Sequence, residues 1–209
     1  DRSSIGGAEF GVRGLEGELP AGAIIGQQLE LFLQNVAGPN EKFPTFDDLP
    51  IPFRAIATNI EDGSMVVLDH GSLPQCLRAS MSVPGVFAPA EIDGQLLVDG
   101  GLTRNLGVDV ARQLGAQQII AVNLGTGLMK RDQIRSFLSV GSQMVNILTE
   151  QNVRKSLGEL TDRDVLILPD LGDFSFADFK NSATTVEFRE RAALAVAAPF
   201  GAFSVRDAQ

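Results

Sequence analysis

The sequence predicts an α/β layered fold, because strand-like and helix-like patterns alternate along the chain. The clearest strand is Ile119-Ile120-Ala121-Val122, a continuous apolar run typical of parallel strands covered on both faces. Residues 53–58 and 65–68 predict a hairpin around the turn Glu61-Asp62-Gly63-Ser64. The chain has 209 residues, 44% of them hydrophobic, which is enough for a sizeable core. We therefore expect residues 1–209 to form a single domain.

The remaining elements follow from apolar periodicity and from the glycines and prolines that interrupt it. Residues 1–22, rich in glycine and charge, predict loop or edge structure. Helices are predicted near residues 25–37, 73–81, 108–114, 133–160 and 184–198. Strands are predicted at residues 53–58, 65–68, 91–92, 96–98, 119–122 and 165–168. Gly38-Pro39-Asn40 ends the first helix, Pro84 stops the second, and Asp93-Gly94 forms the turn of a second hairpin.

Composition excludes several classes of function. The net charge is −9, so general nucleic-acid binding, which needs clustered Lys and Arg, is not expected. The same charge weakly repels an anionic lipid surface, so peripheral membrane contact would need an apolar patch or another segment. The chain has one cysteine and one histidine. An internal disulfide, a zinc site of paired cysteines and a histidine-rich metal site are therefore excluded.

Asp99 is the strongest candidate for a functional side chain. It directly follows the apolar run Leu96-Leu97-Val98, and a strand end holds a carboxylate in a defined position. Gly100 and Gly101 come next, and glycines permit unusual backbone angles and leave space beside the acid for a substrate. The alternative is a tight turn in which Asp99 only caps the following segment.

Three other features are explained more simply by a structural role than by a chemical function. His70 follows a predicted strand, and we expect it to be a solvated turn residue rather than a general base. We expect Cys76 to be a small buried residue of a helix rather than a thiol nucleophile, because the chain has no second histidine-type partner to activate the thiol. Gly125-Thr126-Gly127 is the only hint of a nucleotide-binding α/β domain. A phosphate loop needs more glycines and an immediately following helix, so we expect a turn.

Four successive segments form a more specific pattern than any single motif. They are Phe53-Arg54-Ala55-Ile56-Ala57-Thr58, residues 77–89 with the sequence LRASMSVPGVFAP, Leu97-Val98-Asp99-Gly100-Gly101-Leu102, and residues 105–116 with the sequence NLGVDVARQLGA. In order and spacing they resemble bacterial patatin-like phospholipases, over residues from about 20 to about 196. The Asp-Gly-Gly triplet alone is weak, but its combination with the flanking segments is quite specific.

The resemblance implies a three-layer sandwich with a mainly parallel central sheet and a serine–aspartate dyad that hydrolyses carboxylic esters of lipids. Asp99 takes the aspartate role, accepting the serine proton and returning it to the leaving alcohol, and Gly100 and Gly101 shape the site. An exposed aspartate has a pKa of about 3.9, so partial burial is needed to make it a better base. The mechanism uses no metal and no cofactor. A cytoplasmic location and export within a longer bacterial protein both stay open.

The nucleophile expected of such an enzyme is not found. The family places a serine in a Gly-x-Ser-x-Gly elbow after a glycine-rich oxyanion loop, and the 209 residues contain no such elbow. We therefore expect a domain that is incomplete at its N-terminus, with the serine upstream of Asp1. The alternative is a catalytically inactive fragment or degenerate homologue that acts as a binding or interaction module.

Overall fold

The computed structural model describes residues 21–38, 42–125 and 127–169, with backbone only for residues 21–28 and 138. Four α-helices are described: α1 (Ala21–Ala37), α2 (Leu73–Ser80), α3 (Val108–Gln113) and α4 (Phe137–Leu157). The described strands are β1 (Lys42–Phe43), β2 (Ala55–Asn59), β3 (Met65–Leu68), β4 (Gly71–Ser72), β5 (Ala90–Ile92), β6 (Gln95–Asp99), β7 (Ile120–Val122) and β8 (Val165–Ile167). Helices and strands alternate, and the predicted α/β class is confirmed.

The largest described sheet has four strands in the order β3-β2-β6-β5, and every neighbouring pair is antiparallel. Parallel pairing among the described residues is confined to β7 and β8. The expected mainly parallel sheet is therefore not what the described residues show. Short turns close the β2–β3 and β5–β6 hairpins, and strands joined by such turns can only run antiparallel. The β7–β8 connection passes through α4, which is long enough for a parallel crossover.

Both predicted hairpins are present, and their turns have the expected backbone. Asp93 and Gly94 have φ of +51° and +74°, the left-handed values that a two-residue turn between twisted strands requires. Asp93 is the one non-glycine residue with positive φ in the described part of the chain. The Asp-Gly signal in the sequence thus located the β5–β6 connection correctly.

The core of the antiparallel sheet lies between the sheet and α2. Side chains alternate along β2, so Ala55 and Ala57 face this core while Ile56 faces the opposite side of the sheet. Leu97 of β6 and Cys76 of α2 are buried in the same cluster. The register that pairs Ala57 with Asp99 follows from this pattern, because a slip of one residue would expose the apolar set.

The second core belongs to the segment β7–α4–β8, which we call the parallel unit. Val153 of α4 packs against Ile119 and Ala121, and Val108 of α3 joins this cluster. The carboxylate of Asp164, just before β8, accepts hydrogen bonds from the backbone N–H of Ile119 and of Thr161 and forms an ion pair with Arg112. The parallel unit is therefore joined to α3 by both apolar packing and a buried ion pair.

Element boundaries shift slightly from the predicted ones. Helix α4 begins at Phe137 because Ser136 caps it, its Oγ accepting from the Ser139 N–H at 3.1 Å, and it ends before Gly158. Helix α1 begins at Ala21 and is followed by Gly38 with φ of +88°. The predicted helix 184–198 and most of the predicted N-terminal loop lie outside the described residues. None of the described helices is both long and apolar enough to cross a membrane.

Candidate active site

Asp99 is the last residue of β6, and its backbone is held on both sides. Its N–H donates to the carbonyl oxygen of Ser82 at 3.0 Å. Its carbonyl oxygen accepts a hydrogen bond from the Thr58 Oγ1 at 3.0 Å. Leu97 and Val98, the two residues before it, are buried. The strand end thus holds the Cα of Asp99 in a defined position, as expected of a functional carboxylate.

The Asp99 carboxyl group is partly buried and accepts one short hydrogen bond. The backbone N–H of Gly101 donates to its Oδ1 at 2.6 Å. Burial raises the pKa of Asp99 above the ordinary aspartate value of 3.8, and the Gly101 N–H offsets only part of that effect. The direction agrees with the expectation from sequence, because desolvation disfavours the carboxylate and so makes it a better proton acceptor. The same hydrogen bond shows that Asp99 also caps the Gly100–Leu102 turn.

Gly100 and Gly101 are required by close packing, and neither has a positive φ in the described backbone. A Cβ on Gly100 would lie 2.2 Å from the carbonyl oxygen of Ile56. A Cβ on Gly101 would lie 2.8 Å from Oδ1 of Asp99 and 3.1 Å from Oδ1 of Asn105. Neither glycine therefore uses the positive φ that glycine permits. The glycines let the loop approach β2 and the carboxylate instead.

Asp99 lies between two cavities of different character. The first, which we call the apolar cavity, has a volume of about 200 Å³ and is lined by Asp99 together with Val83, Pro84, Leu102, Leu124 and Val145. The second, the polar cavity, has a volume of about 340 Å³ and is lined by Asp99 together with Arg54, Ser80, Arg104 and Asn105. A molecule bound beside Asp99 could therefore place an apolar part on one side and a polar part on the other.

The two arginines of the polar cavity are already paired. Arg54 donates to Asp47 at 2.8 Å, and Arg104 donates to Asp109 at 2.8 Å. Both guanidinium groups are mostly buried, with 13% and 14% of the side chain exposed. The polar cavity therefore offers hydrogen-bond donors without a large excess of positive charge.

Sequence reasoning missed the residues that support Asp99 from other elements. Thr58 and Ser82 are polar but almost fully buried, and both contact the Asp99 backbone. Asn152 of α4 contacts the loop behind Asp99, at 2.7 Å from the carbonyl oxygen of Gly101. Thr58 could have been found, since it closes the conspicuous segment 53–58. Nothing in the local sequence marks Asn152, which lies 53 positions after Asp99 in the numbering.

Neither His70 nor Cys76 lines the two cavities beside Asp99. His70 is an exposed turn residue whose Nδ1 lies 2.7 Å from Asp69 Oδ1 and whose Nε2 lies 3.4 Å from Asp93 Oδ2. The hydrogen bond with Asp69 is the main reason that the pKa of His70 is raised. Cys76 is buried, and burial raises the pKa of its thiol to about 11, so it is protonated at neutral pH.

The glycine pair Gly125 and Gly127 forms no phosphate loop in the part that is described. The Gly125 N–H donates to Oδ1 of its neighbour Asn123 at 2.9 Å, which is a local turn. The next described α-helix starts only at Phe137, so no helix N-terminus follows immediately. Thr126 itself lies outside the described residues. Among those described, no group of three or more His, Cys, Asp or Glu side chains could hold a metal ion.

Several known proteins are similar to part of this chain. The chain is 36% identical over 104 residues to an uncharacterized NTE family protein of Mycobacterium tuberculosis, covering 50% of this chain and 28% of that protein. It is 45% identical over 82 residues to patatin-like phospholipase domain-containing protein 7 of Mus musculus, covering 38% of this chain and 6% of that protein. It is 40% identical over 82 residues to patatin-like phospholipase domain-containing protein 6 of Homo sapiens, with the same coverage.

The chain thus spans less than a third of the length of these curated relatives. Residues 12–112 match the family of patatin-like phospholipases. That range contains β2, α2, β6 and the loop of Asp99, Gly100 and Gly101, and it ends before the parallel unit. This stretch, just under half of the chain, is therefore similar to patatin-like phospholipases, and it carries Asp99.

Proposed function

We propose that this chain contributes the carboxylate of a serine–aspartate dyad in a lipid acyl hydrolase. The observation that carries the proposal is Asp99 itself, a partly buried strand-end carboxylate whose pKa is raised by burial. A carboxylate of this kind is a better general base near neutral pH than an exposed one. The match of residues 12–112 to patatin-like phospholipases supports the same reaction class.

In the proposed reaction Asp99 accepts the proton of a serine hydroxyl as the serine oxygen attacks the ester carbonyl. Asp99 then returns the proton to the leaving alcohol, and water hydrolyses the acyl-enzyme. The serine belongs to a segment of the same domain outside these 209 residues, because the chain has no Gly-x-Ser-x-Gly. Gly100 and Gly101 keep the space beside the carboxylate open. The reaction requires neither a metal nor a cofactor.

The two cavities suggest how an acyl ester lies at Asp99. The acyl chain occupies the apolar cavity, where Val83, Leu102 and Val145 offer hydrocarbon surface. The alcohol part points to the polar cavity, where Arg104 and Asn105 offer donors. An amphipathic ester satisfies both sides at once, and this supports an acyl lipid as the substrate class.

The proposal is tested by Asp99→Asn in the full-length protein, with a p-nitrophenyl ester as substrate. Loss of the general base should lower kcat by roughly 10²- to 10⁴-fold, since this is the contribution of a positioned base. In the wild type, kcat/KM should rise with pH along an acidic limb that lies above the ordinary aspartate pKa of 3.8. Asp93→Asn, a change of the same kind at an exposed turn, is the matched control and should leave kcat unchanged.

Wild-type activity in Asp99→Asn would refute the role of Asp99. One observation favours the second candidate, an inactive homologue that serves as a binding module, and that is the missing elbow. Sequencing the coding region upstream of Asp1 separates the two. An in-frame Gly-x-Ser-x-Gly supports the enzyme, and a start codon at this point supports the binding module.

A further inference from the structure

Asn152 of α4 joins the parallel unit to the loop that follows Asp99. Its Oδ1 accepts the backbone N–H of Asn105 at 2.8 Å. Its Nδ2 donates to the carbonyl oxygen of Gly101 at 2.7 Å and to that of Leu148, one turn earlier in α4, at 3.1 Å. One side chain therefore holds both ends of the segment Gly101–Asn105, from a helix that lies outside the family-matched residues 12–112.

These contacts admit one orientation of the Asn152 amide. Turning the amide by 180° would place its oxygen against two carbonyl oxygens and its NH₂ group against the Asn105 N–H. All three contacts would then be repulsive. Both hydrogens of Nδ2 have acceptors and the oxygen has a donor, so the side chain is locked to the helix as well as to the loop. A locked side chain is a rigid support for the groups that it contacts.

Two hydrogen bonds of Gly101 link the Asn152 side chain to the carboxylate of Asp99. The Gly101 carbonyl is held by Asn152, while the Gly101 N–H donates to Oδ1 of Asp99 at 2.6 Å. The Gly101 residue thus stands between the amide of Asn152 and the carboxylate of Asp99. Movement of Gly101 by a fraction of an ångström would lengthen or misdirect the hydrogen bond that orients Asp99.

We infer that Asn152 is a positioning residue for Asp99, acting through Gly101 and Asn105. The inference rests on the proposed function, since ester hydrolysis is the reaction that the oriented carboxylate would serve. It assigns to α4 a part in catalysis that the sequence motif around Asp99 does not contain. A general base that is misplaced by about 1 Å can lose on the order of 10²-fold in rate.

The first test replaces Asn152 by an apolar residue of similar size in the full-length protein. Asn152→Leu removes all three hydrogen bonds, and we expect kcat for a p-nitrophenyl ester to fall by roughly 10- to 100-fold with little change in KM. Gln151→Leu, the same kind of change at the exposed neighbour on α4, should leave both constants unchanged. Wild-type kcat in Asn152→Leu would overturn the inference.

The second test uses Asn152→Asp and its pH dependence. The introduced carboxyl, when protonated, can still donate to the Gly101 carbonyl and accept from the Asn105 N–H. When ionised it has no hydrogen to donate, and the carbonyl oxygens of Gly101 and Leu148 raise its pKa. The ratio of kcat in Asn152→Asp to kcat in the wild type should therefore fall about 10-fold or more between about pH 5 and about pH 8. A ratio independent of pH would contradict the inference.

A readout that needs no activity separates failure of this inference from failure of the proposed function. Hydrogen exchange at the Asn105 amide, followed by NMR in the full-length protein, should be about 10-fold faster or more in Asn152→Leu. It should stay slow in Asn152→Asp and in Gln151→Leu, where an acceptor at position 152 remains. If the exchange pattern appears but the wild type hydrolyses no ester, the contact is correct and the proposed function is wrong. If exchange is unchanged in Asn152→Leu, the inference is wrong whatever the activity.

Discussion

The antiparallel sheet and the parallel unit contribute to the candidate site in different ways. The antiparallel sheet carries Asp99 on β6 and fixes its backbone by strand pairing, with Thr58 on the adjacent β2. The parallel unit contacts the loop through Asn152, and its residues Val145 and Leu124 line the apolar cavity beside Asp99. The family match covers the first region and ends before the second. The matched region thus carries the candidate carboxylate, while a helix beyond that region contributes to its surroundings.

The largest expected effect on stability comes from adding a methyl group where the Asp99 loop closely approaches β2. In Gly100→Ala the new methyl carbon would lie 2.2 Å from the Ile56 carbonyl oxygen, so the backbone must move. We expect a loss of about 2–4 kcal/mol in the free energy of unfolding, measured by urea denaturation, because overpacking against backbone cannot relax through a side chain.

The matched control for this change lies in the parallel unit. Gly141 of α4 has open space where a Cβ would stand, so Gly141→Ala should stabilise the protein by roughly 0.4–1 kcal/mol. Equal effects of the two substitutions would mean that the close approach at Gly100 does not exist. The Asp-Gly-Gly sequence would then need a reason other than packing against β2.

The next largest effect on stability concerns the buried ion pair that joins the parallel unit to α3. The Asp164 side chain is 1% exposed and pairs with Arg112. Burial alone would raise the pKa of Asp164, but hydrogen bonds from Thr161 and Ile119, with the Arg112 pair, hold it at about 2. Asp164→Asn should cost about 1.5–3 kcal/mol of unfolding free energy at neutral pH, the usual contribution of hydrogen bonds to a charged group.

The pH dependence of this variant has a defined sign. The folded-state pKa of Asp164 lies below the ordinary value of 3.8, so its stabilisation is complete above that value and is lost as the pH falls towards 2. The difference between wild type and Asp164→Asn should therefore shrink between about pH 4 and about pH 2. Asp162→Asn, at an exposed neighbour, should change little. A difference that persists unchanged at pH 2 would show that Asp164 is not ionised and paired.

A third effect, on substrate choice, asks whether α4 shapes the cavity beside Asp99. Val145 lines the apolar cavity, and Val145→Phe should fill part of its volume of about 200 Å³. In the full-length protein, kcat/KM for a long-chain p-nitrophenyl ester should fall about 10-fold or more relative to the acetate. Met144→Phe, at an exposed position on the same helix, is the control. Equal losses for both esters would indicate general damage and exclude a role in acyl-chain binding.

The smallest effect concerns His70 and the two carboxylates beside it. His70, Asp69 and Asp93 are all about half exposed or more, so this cluster should stabilise the fold by at most about 0.5 kcal/mol. Because the pKa of His70 is raised, this small stabilisation is present at low pH and is lost as the pH rises through the folded-state value. In an NMR titration, Asp69→Asn should lower the pKa of His70 more than Asp93→Asn does. The reverse order would contradict the assigned contacts.

Local signals in the sequence were enough to predict those features that are formed by residues close to one another in the chain. The Asp-Gly turn located the β5–β6 hairpin, and the apolar run before Asp99 placed it at a strand end. The α/β class followed from the alternation of helices and strands, because each pattern has its own period.

Only the tertiary structure decided which distant elements meet at Asp99. The sequence did not reveal which strands pair, because an apolar run such as Val165-Leu166-Ile167 indicates that a strand is buried but not which neighbour it pairs with. The close packing at Gly100 also had no local signal, because the atom that a Cβ there would meet first, the Ile56 carbonyl oxygen, lies more than 40 positions away in the chain. Asn152 carries no local signal at all, since its three hydrogen-bond partners are backbone groups that any residue could present. The sequence alone thus located the candidate carboxylate Asp99, and the packing of the chain decided which side chains surround it.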